Sequence, residues 1–81
     1  MRNNDVARSW AYGRAARAAN FRTDGRNLYS YNLRIGYTDE TGASVALDYT
    51  APAGWFQSVT TSRHVSYARR YADRIEAPKA K

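Results

Sequence analysis

The sequence predicts a single small α+β domain: an antiparallel sheet of about three strands, with a central hairpin over residues 28–50, packed against a C-terminal helix over about 59–76. Three observations lead there. Through 28–38, Tyr29, Tyr31, Leu33, Ile35 and Tyr37 alternate with Ser30, Asn32, Arg34 and Gly36, the period of a half-buried strand. Between Thr61 and Ile75, apolar and small residues return at helical spacing. With 81 residues in all, a second independent core is excluded.

Taken in order, Asp5 stands where an N-cap belongs, ahead of Val6 and Trp10 four residues apart, so a short helix over 5–12 is expected to stop at Gly13. A first strand is read over 17–22. Thr23, Asp24, Gly25 and Arg26 then form a turn, with glycine supplying the positive φ. The strand over 28–38 is followed by a loop of Asp39, Glu40, Thr41 and Gly42, and Ala43, Val45, Leu47 and Tyr49 carry the alternation back. In this reading the helix covers the face that holds the strand tyrosines. Pro52 and Gly54 interrupt the chain, leaving a loop over 51–57 that carries Trp55 and Phe56.

Ser58, Thr60, Thr61 and Ser62 are candidate N-caps for the final helix. Thr61, His64, Val65, Ala68, Tyr71, Ala72 and Ile75 form its core face, and Arg63, Arg70 and Arg74 align on another flank. Arg69 stands apart, four residues before Asp73 and able to pair with it. Pro78 ends the domain, taken as 1–77, and 78–81 is a basic tail expected to be disordered.

Composition narrows the chemistry. The formal net charge is +6, and 11 of the 13 basic residues are arginine. Residues 1–38 and 59–81 are basic, and the acidic stretch 39–58, with Asp39, Glu40 and Asp48, separates them. Arginine's planar fork suits phosphate and carboxylate, so an anionic partner is expected, either nucleic acid or an acidic protein face. The chain has no cysteine and one histidine, which removes disulfides and most zinc sites and points to no cofactor. There is no apolar run of signal-peptide or membrane-span length, so the expectation is a soluble cytoplasmic protein with no membrane partner.

Catalysis would need a nucleophile or base with a positioned partner. His64 with Asp48 and a hydroxyl from 58–62 is the one conceivable set, and no nucleophile-elbow spacing accompanies it. A histidine at the edge of the helix's core face, bonded to a hydroxyl or carbonyl, explains the residue better. No enzyme and no small-molecule substrate are therefore expected. The candidate partner-binding residues are Arg63, Arg69, Arg70 and Arg74 on the helix, with Trp55 and Phe56 in the loop as aromatic anchors or as a lid over the core. The strand tyrosines offer a base-stacking platform only if their face is open.

The pattern Trp10, Gly13, Thr23-Asp24-Gly25, Leu28-Tyr29-Ser30-Tyr31, Ile35-Gly36, Asp48-Tyr49-Thr50, Ser58, Thr60-Thr61-Ser62 and His64-Val65 resembles a group of small proteins encoded by bacteriophages and prophages, over residues 6–73. The group has no assigned activity, so no site residue carries over. The resemblance implies a genomic setting in which small proteins bind and disable host machinery, CRISPR effector complexes included. The expected function is thus a non-enzymatic, anti-CRISPR-like accessory protein that inhibits a host protein or nucleoprotein complex. The alternative is direct nucleic-acid binding through the arginine face.

Overall fold

The computed structural model describes residues 2–50, 54 and 57–78. They form an α+β sandwich of two layers, with two helices on one face of a six-stranded mixed sheet whose spatial order follows the chain from β1 to β6.

Helix α1 spans Asn3–Ala11 and begins two residues before the expected position. Arg2 is the N-cap, and the Asp5 N–H already bonds the Arg2 carbonyl at 3.0 Å. Asp5 therefore lies inside the first turn, where its carboxylate meets the positive end of the helix dipole. The helix buries Val6, Ala7 and Trp10 and stops at Gly13, which takes φ 76.

The segment expected to be one strand over 17–22 is a hairpin. β1 (Ala15–Arg17) and β2 (Phe21–Asp24) pair antiparallel, and the Ala18 N–H bonds the Phe21 carbonyl at 2.8 Å across the turn. The Asp24 turn forms as expected. Its carboxylate accepts from the Arg26 and Asn27 N–H groups at 2.9 and 2.7 Å, and these bonds hold its pKa below the ordinary carboxylate value.

The expected strand over 28–38 is two strands, β3 (Asn27–Ser30) and β4 (Leu33–Thr38), joined by a two-residue turn at Tyr31 and Asn32. Tyr31 takes φ 56, a conformation that bulky residues rarely adopt. Both of its backbone groups are held: its N–H bonds the Asn20 carbonyl at 2.8 Å, and its carbonyl accepts from the Arg22 guanidinium at 2.5 Å. A turn of two residues reverses the phase of the alternation. Leu28 and Ser30 go inward on β3, while Leu33 and Ile35 pack inward on β4.

A second phase change follows. Leu28 pairs with Gly36 and Tyr29 with Arg34, so Ile35 is the extra residue of a β-bulge. Gly36 then faces Trp10. A Cβ there would lie 2.9 Å from Trp10 Cζ2 and 3.2 Å from Leu28 Cβ. Glycine at 36 is thus a packing requirement, because the indole occupies the place of a side chain.

β5 (Ser44–Leu47) pairs antiparallel with β4, and all four of its residues are buried. The loop between them is built on Asp39, whose carboxylate accepts from the Thr41 N–H at 2.9 Å, the Thr41 hydroxyl at 2.6 Å and the Ala43 N–H at 3.0 Å. Gly42 takes φ 88 there.

The final helix, α2 (Val59–Tyr71), starts at Ser58, whose hydroxyl accepts from the Thr61 N–H at 3.0 Å. It ends five residues short of the expected 76. Ala72 turns extended, and Arg74–Glu76 forms β6, which pairs parallel with β5. Helix propensity yields here to the open edge of β5, whose buried backbone groups need partners. The Asp73 N–H bonds the Ser44 carbonyl at 2.7 Å, and the Asp73 carboxylate accepts from the Ser44 N–H at 2.8 Å. A parallel pairing requires a long crossover, and α2 supplies it. Ile75 consequently leaves the helical core face and is 42% exposed on the edge strand. Pro78, expected in a disordered tail, is buried, and the rest of that tail lies outside the described residues.

The core cluster joins Val6, Ala7 and Trp10 of α1 and Val65 and Ala68 of α2 to Phe21, Leu28, Ile35 and Ala46 of the sheet. One test follows from the Trp10 contact. Gly36→Ala should lower unfolding stability by about 1–3 kcal/mol through overpacking, read as a shift in the urea midpoint with unchanged slope.

Candidate functional site

Both helices pack on one face, so over β1 to β4 the other face carries no helix among the described residues, and its residues follow from strand register. Toward β5 that face closes, since Val45, opposite Tyr37, is fully buried. Arg17 pairs with Arg22, Arg22 with Tyr29 and Tyr29 with Arg34. The four side chains form one transverse row across β1 to β4, pointing away from the helices. Each is flanked in sequence by residues packed inward: Ala16 and Ala18, Phe21 and Thr23, Leu28 and Ser30, Leu33 and Ile35.

The rings and guanidinium groups interlock. Arg22 lies over the Tyr29 ring, 4.7 Å from its centroid, and Arg34 over the Tyr37 ring at 5.2 Å. Arg22 also donates to the Tyr31 carbonyl. The Tyr37 hydroxyl donates to Glu76 Oε1 at 2.8 Å, and that bond raises the phenol's pKa. Glu76 Oε2 accepts in turn from Arg74 Nε at 3.0 Å. The strand tyrosines, expected beneath the helix, thus divide: Tyr29 and Tyr37 stand on the helix-free face. The two phase changes at Tyr31 and Ile35 are the physical reason.

Arg74, expected on the helical stripe, belongs to β6. Its guanidinium bridges Asp39 at 2.7 Å and Glu76 at 3.0 Å. The Asp39 carboxyl is held well below its usual range, first by the Thr41 hydroxyl and then by Arg74. Arg63, Arg69 and Arg70 are exposed on α2, in the layer opposite the row just described, and Arg70 lies 5.1 Å from the Tyr67 ring centroid. The expected Arg69 pairing with Asp73 is replaced by the bond from the Ser44 N–H to that carboxylate. Trp55 and Phe56 lie outside the described residues.

His64 is buried at the helix–sheet junction. Its Nδ1 is 2.6 Å from Ser30 Oγ, which is 3.0 Å from Thr61 Oγ1, and its ring stacks on Phe21 at 4.4 Å between centroids. Ser30 is fully buried and His64 is 3% exposed, so the pair joins the layers and offers no access to a substrate. Asp48, the conceivable third member of that set, instead accepts from the Thr50 hydroxyl at 2.5 Å. Among the described residues, no three His, Asp or Glu side chains gather as a metal site would require, and no helix is long and apolar enough to cross a membrane.

Arg17, Arg22 and Arg34 carry a signal in the sequence itself, since each is a single arginine between two small or apolar neighbours in an extended segment. What the sequence lacks is the register that lines them up. The fold and this surface define a small α+β domain with an arginine–tyrosine sheet face. Comparison with family models, with curated proteins and with solved structures finds no match to this chain.

The junction histidine makes stability depend on pH. Burial pushes the His64 imidazole below its ordinary value of 6.5, so the unfolded chain takes up the proton first as pH falls. Stability should be full above 6.5 and decline as pH drops through that value. The thermal midpoint should therefore be lower at about pH 5 than at about pH 7, and His64→Gln should remove that difference.

Proposed function

We propose that the protein is a non-catalytic nucleic-acid binder that engages phosphates through its helix-free sheet face. The row of Arg17, Arg22 and Arg34 across adjacent strands carries this reading. Its guanidinium groups share one face without an ion pair among the described residues. The acids nearest this face are already engaged, Asp24 by backbone N–H groups and Glu76 by Tyr37 and Arg74.

Binding through three phosphate contacts should weaken with salt, giving a log–log slope of about −2 for single strands. Fluorescence anisotropy of a labelled oligonucleotide across a salt series measures it. Replacing Arg17, Arg22 and Arg34 together with glutamine should flatten the slope by about that amount, and an unchanged slope removes this face from the reading.

A second reading is the phage-type inhibitor of a host nucleoprotein complex, such as a CRISPR effector, acting in the host cytoplasm. The exposed Arg63, Arg69 and Arg70 on α2, with Arg70 set on Tyr67, favour it, since arginine and tyrosine dominate interface energetics. Under this reading, tagged protein pulls down a defined host complex, and charge reversal at Arg63 and Arg70 abolishes the capture. Capture unchanged by that reversal takes the α2 surface out of the interface.

A further inference from the structure

We infer that the helix-free face recognises unpaired bases, taking two neighbouring nucleotides of a single strand on the rings of Tyr29 and Tyr37 while the arginines take the flanking phosphates. This inference rests on the phosphate-binding reading and adds what that reading leaves open, the part of the nucleic acid that is recognised.

The two rings have the placement such a site needs. Tyr29 is opposite Arg34, Asn27 is opposite Tyr37, and Asn27 is two residues from Tyr29 along β3. Tyr29 and Tyr37 are therefore diagonal neighbours on one face, separated by about 7–8 Å at the backbone. That separation suits consecutive bases of an extended, unstacked strand, whereas a duplex hides its base faces inside the stack.

The free protein already keeps both ring faces occupied by planar cations. Arg22 covers Tyr29 and Arg34 covers Tyr37. A base stacked on tyrosine is worth more than an exposed guanidinium there, and the adjoining phosphate takes up each guanidinium that leaves its ring, offsetting for Arg22 the bond it gives up to the Tyr31 carbonyl. Arg17, beside Arg22 in the same row, extends the phosphate track toward β1.

The borders of the face set its length. Beyond Tyr37 stand Glu76 and Asp39, joined by Arg74, and at the far end of β2 stands Asp24. These carboxylates repel further phosphates and confine the strand to the stretch between them.

The experiment is anisotropy with three labelled probes of equal length: oligo(dT), the same backbone lacking bases, and a duplex. Oligo(dT) should bind about tenfold or more tightly than the abasic strand and also more tightly than the duplex. Tyr29→Ala and Tyr37→Ala should each lose about tenfold on oligo(dT) and nothing on the abasic strand, while Tyr29→Phe and Tyr37→Phe retain binding. Far-UV circular dichroism confirms that each variant is folded, and both side chains are only half-buried. Equal affinity for oligo(dT) and the abasic strand, or folded alanine variants that bind oligo(dT) as the wild type does, overturns base recognition and leaves phosphate binding standing. Absence of binding to all three probes overturns both readings.

Discussion

Trp10 sits with its indole against Gly36, its N–H bonded to the Arg26 carbonyl at 3.1 Å, and the rest of the sandwich is arranged around that contact. The ring is fully buried, and it docks α1 on the sheet near the point where β4 bulges. Because the ring takes the room of a side chain at 36, only glycine fits beneath it. Because the indole N–H must be satisfied, the turn after Asp24 has to present a carbonyl to it. Gly25 completes the same corner: it takes φ 97, and a Cβ there would lie 2.9 Å from the Gly13 carbonyl oxygen. Gly13, just past α1, and Gly25 in the β2–β3 turn thus meet backbone to backbone.

The bulge beside Gly36 also governs the surface. Without it, an alternation that places Ile35 inward would turn Gly36 outward and Tyr37 back toward the helices. With it, Ile35 and Gly36 both serve the core and Tyr37 emerges, half-buried, on the helix-free face beside Arg34. One extra residue in a strand therefore connects the packing of a buried tryptophan to the aromatic and basic character of the opposite side. The Ser30, His64 and Thr61 network fastens α2 to the same strand pair, and a buried hydroxyl opposite a buried imidazole leaves both polar groups partnered.

The edge formed by β6 is governed by the need to close β5. Four consecutive buried residues in β5 would leave a costly unpaired edge, and the chain after α2 folds onto it instead of continuing the helix. That choice moves Arg74 from a presumed binding stripe into a bridge between Asp39 and Glu76. The basic residues consequently separate into Arg74 on an edge where two carboxylates outweigh it, an exposed helical group at Arg63, Arg69 and Arg70, and the transverse row on the helix-free sheet face.

The sequence by itself determined the local features. The α+β class, the short first helix ending at Gly13, the Asp24-Gly25 turn, the loop on Asp39 and Gly42, the start of the second helix among the hydroxyls of 58–62 and the junction role of His64 all rest on interactions within a few residues or on a clear helical period. Tertiary structure decided the strand count, the side on which the tyrosines emerge and the fate of 72–76. In each case the reason is that period-two alternation carries no marker for a turn of two ordinary residues or for a bulge, and that helix propensity at the C-terminus knows nothing of an open strand edge elsewhere. The arginine excess was legible from the start. Only the register of four strands placed three of them in a line with Tyr29, on a face that no helix covers among the described residues.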